Sequence, residues 1–307
     1  MRKNIRRNEL CWCGSGRKYK RCHMLEDTRK KRAAARSDTG PMVKSPAQID
    51  GMRRAGAFNG RLMDHIRGLV RAGTTTEEIN RAVHEYTVTH GHTPAPLNYH
   101  GFPKSVCTSI NDVVCHGIPS PDVRLAVGDI VNVDITTIVE GFHGDSSETF
   151  MIGTVSDAAR HLVEVTARAL KLGIEAAGPG KHLRAIAEAI EPFVNAEGCS
   201  VVHQYTGHGI GTGFHEFFTV YHHVSPECDD IILQPGMTLT IEPMINLGGY
   251  RVVTDPGDGW TVRTKDGSLS AQFEHTVAIT ETGAEVLTLT PSQRAAGRLV
   301  VVPGLDV

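Results

Sequence analysis

The chain contains an internal repeat, and this repeat restricts its fold more than any other feature of the sequence. Apolar residues at helical spacing, each set followed by a glycine, recur at an offset of 107: Ile79, Val83, Tyr86 and Gly91 correspond to Ile186, Ile190, Phe193 and Gly198. The strand-like segment 125–134 matches 233–242 at an offset of 108, and each segment ends in a carboxylate. Such self-similarity predicts an α+β body made of two similar halves of roughly 100 residues each.

Helix signals within each half agree with this duplication. Residues 47–72 carry apolar residues at helical spacing and end before Gly73, and Thr74 to Glu78 then supply N-cap candidates and early acids for a second helix. In the second half, residues 156–177 are again periodic, and Pro179-Gly180 precedes another helix. We therefore expect two consecutive helices in each half.

Carboxylates interrupt stretches that otherwise predict buried strands. Asp134 lies within an aliphatic run, and Asp145 follows a turn near Glu140-Gly141, so one hairpin can bring both side chains to the same point. Glu242 occupies the matching position in the second half, and Glu274 lies in the strand-like stretch 271–278. Ionised carboxylates that converge away from water repel one another and are costly to bury unless a cation binds them. This pattern predicts a metal site.

A glycine-rich segment, residues 206–216, adds His208 and His215. Its glycines let the backbone approach a site closely and direct both imidazoles without bulky neighbours. Several carboxylates and one imidazole suit Mn, Fe(II), Co or Zn better than a metal that prefers thiolates, and shared carboxylates can hold two ions roughly 3.5–4 Å apart.

Eight short motifs together resemble type I methionine aminopeptidase. They are Val114–Pro119, Val133–Thr136, Gly141–Asp145, Gly207–Gly211, Gly213–Glu216, Ile241–Met244, Asp258–Thr261 and Ala271–Thr276. The resemblance covers about residues 45–290. It implies the pita-bread fold, in which two pseudo-symmetric α/β halves related by a pseudo-twofold axis place an antiparallel sheet around a di-metal site. This expectation agrees with the repeat.

The resemblance also implies an activity and a set of site residues. The activity is removal of the N-terminal initiator methionine from nascent proteins and peptides when the second residue is small. The implied metal ligands are Asp134, Asp145, His208, Glu242 and Glu274, which would hold two divalent ions (Co, Mn, Fe or Zn) with Asp145 and Glu274 shared. His116 and His215 would contact the scissile amide nitrogen and carbonyl oxygen respectively, and Glu242 would carry a proton.

A cleft for the methionine side chain is implied as well. Its residues would be Tyr99, Phe102, Cys107, Phe214 and Trp260, together with the substrate-contacting His116 and His215. The chain departs from bacterial relatives at Pro96, where they usually carry cysteine, and at Phe217-Phe218, where they usually carry Glu-Pro. We expect these departures to affect the rim of the site and its selectivity, because no metal ligand is involved.

The N-terminal segment predicts a second metal site. Cys11, Cys13, Cys22 and His23 lie within thirteen residues, and so short and polar a segment has too little apolar surface to fold without a metal. The pattern resembles the SEC-C motif, a small zinc module. We expect one structural zinc ion with all four positions filled and therefore no catalytic role.

Domain boundaries follow from these assignments. We expect a SEC-C-like zinc module at residues 1–27, a basic linker at 28–44, the catalytic domain at 45–291 and a C-terminal tail at 292–307.

Charge is distributed unevenly along the chain. Residues 1–36 hold 13 Lys/Arg and 3 Asp/Glu, whereas the whole chain carries a net charge of −2, so a basic head precedes an acidic body. Such a head suits phosphates, and contact with RNA or the ribosome is a hypothesis that competes with a merely solvated basic face.

The cellular setting is predicted from what the sequence lacks. No apolar run approaches the ~18 residues of a membrane span, and the charged start has no apolar segment behind it. The cysteines number seven, an odd count; three belong to the N-terminal cluster and the other four are scattered, which argues against a disulfide framework. We expect a cytoplasmic monomer without membrane contact.

Three alternative functions also fit parts of this pattern. A proline-specific aminopeptidase or prolidase shares the pita-bread fold but usually carries a longer N-terminal domain than residues 1–45 could form. A catalytically inactive binding protein, or a body that only carries the zinc module, would be expected to have lost ligands, and every implied ligand is present.

Overall fold

The computed structural model describes residues 7–13, 15–24, 42–225 and 231–300. The chain divides into two compact units, Met1–Pro41 and Met42–Val307. Within the described ranges, none of the helices has both the length and the apolar character needed to cross a membrane.

The N-terminal unit is built around one short turn of helix. Residues Tyr19–Arg21 form this 3-10 helix, and Leu10 pairs with Lys18 in an isolated antiparallel bridge. The backbone N–H of Cys11 donates to the carbonyl of Arg17 at 2.8 Å. These bonds fold the segment back on itself, so the first pair of predicted zinc ligands meets the second.

The described part of the larger unit contains five α-helices. They are α1 (Pro46–Arg67), α2 (Thr76–Thr89), α3 (Asp157–Ala176), α4 (Ala185–Ala196) and α5 (Pro291–Ala296). Capping boxes start α1, where Ser45 pairs with Gln48, and α2, where Thr75 pairs with Glu78. The prediction of a first helix through residue 72 was too long. The helix ends at its C-cap, Gly68, and a turn follows it.

Fifteen strands complete the unit within the described residues. They are β1 (Thr93–Pro94), β2 (Cys107–Ile110), β3 (Val113–Cys115), β4 (Ile130–Val139), β5 (Phe142–Met151), β6 (Ser200–Val201), β7 (Gly207–Gly209), β8 (Glu216–Val220), β9 (Thr238–Ile241), β10 (Met244–Asn246), β11 (Val252–Thr254), β12 (Val262–Thr264), β13 (Ser270–Gln272), β14 (Glu274–Ile279) and β15 (Ala284–Val286).

Most of these strands form one antiparallel sheet. The order along it is β1-β4-β5-β14-β9-β7-β8, with β2 also paired to β4 and β15 also paired to β14. Two smaller sheets have the orders β13-β10-β6 and β11-β12-β3. The main sheet contains strands of both halves, because β5 of the first half pairs with β14 of the second.

The β4–β5 hairpin confirms the predicted turn. Glu140 and Gly141 both have positive φ, 50° and 83°, and Val139 pairs with Phe142 across them. Asp134 lies opposite Ser147, and Asp145 lies opposite Thr136, so the two carboxylates share one face two positions apart. Val131, Val133 and Ile135 point to the other face and are fully buried in a hydrophobic core.

The duplication is visible in the packing of the halves. One core joins α1 and α2 to β4 and β5, and the other joins α3 and α4 to β9 and β14. Each half therefore has a helix pair packed against its own part of the common sheet, as the repeat predicts. This arrangement confirms the α+β class.

The segment after residue 291 packs against the body as far as it is described. Gln293 in α5 and Val300 are 1% and 2% exposed, and His275 Nε2 lies 2.9 Å from the carbonyl oxygen of Leu299. The domain boundaries inferred from the sequence remain predictions.

Candidate active site

One cavity of about 400 Å³ collects the site residues that the sequence predicts. Every predicted metal ligand and substrate contact lines it: Tyr99, Phe102, Cys107, His116, Asp134, Asp145, His208, Phe214, His215, Glu242, Trp260 and Glu274. These residues are spread over 176 positions of the sequence, from 99 to 274, and the fold alone brings them together.

The main sheet positions the five predicted ligands. Asp134, Asp145, Glu274 and His208 belong to β4, β5, β14 and β7, and Glu242 directly follows β9. These five strands are consecutive neighbours in the sheet, in the order β4-β5-β14-β9-β7. Each neighbouring strand therefore contributes one ligand, and the ligands form a row across the sheet.

Three of these side chains are close enough to share one metal ion. Ligand atoms of Asp145, His208 and Glu274 all lie within 4.8 Å of one another. Nε2 of His208 lies 3.7 Å from Asp145 Oδ2 and 3.6 Å from Glu242 Oε1. Asp134 lines the same cavity beside Asp145 on the neighbouring strand.

The protonation of His208 favours a cation among these oxygens. Its Nδ1 lies 3.0 Å from the carbonyl oxygen of Gly209, which can only accept, so Nδ1 carries the hydrogen. Nε2 then carries no hydrogen, and its lone pair faces the carboxylate oxygens of Asp145 and Glu242. Acceptors that face one another are stabilised when a cation lies between them, and a hydrogen-bonded Nδ1 is typical of a metal-binding histidine.

The pKa values of the four carboxylates, taken without a bound ion, also indicate that a cation belongs among them. Burial raises the pKa of Asp134 to about 7. Burial, and then repulsion from neighbouring carboxylates, raises the pKa of Asp145, Glu242 and Glu274 well above their ordinary values. Because carboxylates bind divalent ions only when deprotonated, bound cations would offset both the burial and the repulsion. The donor set therefore fits the divalent metals expected from the sequence.

Neighbouring polar groups orient the ligands. Thr136 donates to Asp145 Oδ1 at 2.6 Å, and Thr240 donates to Glu242 Oε1 at 2.7 Å. Gln272 Nε2 donates to Glu242 Oε2 at 3.3 Å, and the backbone N–H of Glu242 donates to His222 Nε2 at 3.0 Å. Such contacts fix ligand geometry before a metal binds.

His116 and His215 line the cavity as neutral imidazoles. Burial lowers the pKa of His116 to about 4, and burial together with the nearby His116 lowers the pKa of His215 to about 4. His215 Nδ1 lies 2.9 Å from the hydroxyl oxygen of Tyr99. A neutral imidazole can donate one hydrogen bond and accept another, which suits contact with a peptide group.

Aromatic rings form the apolar part of the cavity. Phe102 and Trp260 meet edge to face at 5.2 Å, and the rings of Tyr99 and Phe214 lie 4.8 Å apart. The buried Cys107 thiol, whose pKa is raised well above its ordinary value by burial, adds a polarizable neutral surface. This lining suits an unbranched apolar side chain.

Sequence reasoning missed several lining residues. They are His100, Cys115, Thr136, Gln204, Tyr205, Thr206, Met244 and Gln272. Most stand one or two positions from a predicted metal ligand or substrate contact, so their proximity in the sequence was the available signal. Of the departures from the family pattern, Pro96 lines the cavity, whereas Phe218 is buried in a hydrophobic core and Phe217 packs against it.

The N-terminal unit brings together its four predicted ligands. Ligand atoms of Cys11, Cys13, Cys22 and His23 lie within 4.8 Å of one another. His23 Nδ1 is 3.2 Å from the sulfurs of Cys11 and Cys22, and Cys13 Sγ is 3.5 Å from Cys22 Sγ. Three cysteines and one histidine at these distances match the donor set of a tetrahedral zinc site.

Both units of the chain match known protein families. Residues 50–281 match the model of metallopeptidase family M24. The chain belongs to metallopeptidase family M24. This M24 chain is 49% identical over 250 residues to the methionine aminopeptidase of Salmonella typhimurium, covering 80% of the chain and 93% of the relative. Residues 7–25 match the SEC-C motif, which confirms that resemblance too.

Solved M24 structures confirm the pita-bread fold. The crystal structure of methionine aminopeptidase from Rickettsia prowazekii has a TM-score of 0.78 and 44% identity, covering 80% of this chain and 99% of that chain. The prolidase from Pyrococcus furiosus, with a TM-score of 0.65 and 20% identity, covers 86% of this chain and 68% of that chain and is alike in fold alone. The M24 chain is a metalloaminopeptidase, as predicted.

Proposed function

We propose that this enzyme removes the N-terminal methionine from nascent proteins and peptides whose second residue is small. One observation carries the proposal: five ligands from five neighbouring strands line the same cavity as the aromatic cleft. The ligand row supplies the hydrolytic site, and the cleft supplies selectivity for the first side chain. The similarity to methionine aminopeptidases over most of the chain supports this substrate.

We assign two divalent ions to the ligand row. Asp145 and Glu274 lie in the middle, on the adjacent strands β5 and β14, so they can be shared, with Asp134 on one side and His208 and Glu242 on the other. When bound, divalent ions polarise a peptide carbonyl and lower the pKa of a water molecule. The candidate ions are Co, Mn, Fe and Zn.

The enzyme's own residues would orient the peptide and move the proton. His116 and His215, both neutral, would hydrogen-bond to the scissile amide nitrogen and carbonyl oxygen. Glu242, held by Thr240 and Gln272, would accept a proton and return it to the leaving amine. Phe102, Trp260 and their neighbours would surround the methionine side chain and exclude water from it.

We further propose that the N-terminal module binds one structural zinc ion and assists docking to the ribosome or another nucleic acid. The Cys3His cluster supports the zinc, and four basic side chains near it support the docking. The cytoplasmic location, the monomeric state and the domain boundaries 1–27, 28–44, 45–291 and 292–307 are retained as predictions from the sequence.

Release of free methionine tests the proposed activity. Metal-stripped enzyme resupplied with Co, Mn or Fe(II) is expected to release methionine from Met-Ala-Ser, and Asp134→Asn is expected to abolish this release because one metal loses a charged ligand. An Xaa-Pro peptide is tested in parallel. No methionine release with any metal would reject the proposal, and cleavage of the Xaa-Pro peptide alone would indicate the proline-specific activity instead.

A further inference from the structure

A buried ion pair lies behind the catalytic cavity. Lys44 Nζ is 2.8 Å from Glu216 Oε2, and the two side chains are only 4% and 2% exposed. Taking two charges out of water is costly, so a buried pair often contributes less to stability than apolar residues of the same size would. Its presence is therefore better explained by a geometric role than by stability.

Further hydrogen bonds tie both partners to neighbouring backbone. The backbone N–H of Lys44 donates to the Gly236 carbonyl at 2.8 Å, and Lys44 directly precedes Ser45, the N-cap of α1. Glu216 is the first residue of β8, and its second oxygen, Oε1, accepts from the backbone N–H of Gly213 at 2.9 Å. The pair thus connects the start of α1 to the segment before β8.

That segment, residues 211–215, carries two residues of the cavity. Phe214 and His215 both line it, and the segment contains Gly211 and Gly213, which have no side chains to anchor the loop. A Cβ on Gly211 would overlap Lys44 Cε and Glu216 Oε1, so the ion pair packs directly beneath the loop backbone.

We propose that the Lys44–Glu216 pair positions this loop for the reaction, holding His215 at the scissile peptide group and Phe214 at the methionine cleft. The inference rests on the proposed function, because it takes His215 and Phe214 as substrate contacts. Among the described residues, neither Lys44 nor Glu216 lines the cavity, so both are positioning residues. Lys44 is also the last residue of the predicted basic linker, residues 28–44. The proposal therefore gives this residue a role in positioning the loop, whereas the sequence indicated only that it joins two domains.

Two single variants and their combination test the pair. Lys44→Met leaves the Glu216 carboxylate buried without its partner, and Glu216→Gln does the reverse. Since a displacement of about 1 Å can cost about 100-fold in rate, we expect kcat/KM for Met-Ala-Ser to fall about 10- to 100-fold in each, with full metal content. The double variant leaves no unpaired charge and is expected to lose less than the product of the single effects.

Gly211→Ala disturbs the same contact from the loop side while both charges remain. It is expected to produce the same loss of kcat/KM with unchanged metal content. Arg54→Met is the matched control, because Arg54 on α1 forms an exposed ion pair with Glu140 at 2.7 Å and is expected to keep full activity. All variants are compared at a temperature where circular dichroism shows them folded.

Hydrogen exchange of residues 209–218 gives a readout that does not depend on turnover. Exchange of the Gly213 amide is expected to accelerate in Lys44→Met and Gly211→Ala and to stay unchanged in Arg54→Met. Wild-type exchange and wild-type kcat and KM in folded Lys44→Met and Gly211→Ala would overturn the inference. If the variants exchange faster but the wild-type enzyme releases no methionine, the proposed function is rejected and the positioning role is kept.

Discussion

His215 combines three contacts that together define its position. Its Nδ1 lies 2.9 Å from the Tyr99 hydroxyl, its ring lies 4.0 Å from the ring of His208, and its backbone belongs to the loop above the Lys44–Glu216 pair. His215 is not one of the five predicted metal ligands. The residue can therefore be removed without removing a donor from the ligand row.

Replacing His215 by alanine is expected to lower kcat about 100-fold or more, the usual effect of losing a positioned hydrogen-bonding or acid–base group. Metal content, measured by plasma mass spectrometry, should equal that of the wild type because all five ligands remain. His161→Ala serves as a control, since His161 on α3 bonds to the Glu197 carbonyl outside the cavity lining. Full turnover in His215→Ala would show that its role is misassigned.

At the scale of elements, the sequence predicted the strands and the residues that line the cavity better than the contacts between distant segments. A carboxylate inside an aliphatic strand is conspicuous, so Asp134 and Glu242 could be found from local pattern. Thr136 and Gln272 could not, because a polar residue in a strand is common and its role depends on register. Lys44 was assigned to the linker, since its partner lies 172 residues away.

Helix α5 offers a prediction at this scale. Ser292 donates from its backbone and its hydroxyl to Asp64 Oδ2, each at 2.8 Å, which docks α5 on the end of α1. Burial raises the pKa of Asp64, but these bonds and the one from Arg67 outweigh burial and lower it. A lowered folded-state pKa means that ionised Asp64 stabilises the fold above its unfolded pKa of 3.8, and this stabilisation is lost as pH falls further.

Asp64→Asn is therefore expected to lower the free energy of unfolding by about 1–2 kcal/mol at pH 7, the scale of a lost charge-assisted hydrogen bond. The difference from wild type should stay constant above about pH 5 and shrink as the pH falls through 3.8 toward about pH 3. Urea unfolding at several pH values measures it, with Asp50→Asn as the control because Asp50 forms an exposed pair with Arg53. A difference that stays constant down to pH 3 would contradict the linkage.

At the scale of the whole molecule, two units with different chemistry share one chain. The larger unit contains the cavity lined by the predicted metal ligands and aromatic residues, whereas the N-terminal unit contains the Cys3His cluster and a concave basic surface. That surface is lined by Gly16, Arg17, Lys18, Lys20 and Arg21. Because its four cationic side chains face one cavity, it suits phosphate groups better than scattered surface lysines would.

Ribosome binding by the full chain should therefore depend on salt. Co-sedimentation with purified ribosomes is expected to weaken as salt rises. The double variant Lys18→Glu/Arg21→Glu is expected to weaken binding about 10-fold or more and to reduce the slope of log affinity against log salt by about two. Turnover of Met-Ala-Ser should be unchanged in this variant, and Arg71→Glu, an exposed charge reversal on the larger unit, should leave both measurements unchanged. Binding that is absent, or insensitive to salt, would reject a phosphate-binding role for the module. Binding lost in Cys11→Ser/Cys13→Ser would in turn show that the folded zinc module, rather than its charge alone, presents the basic surface.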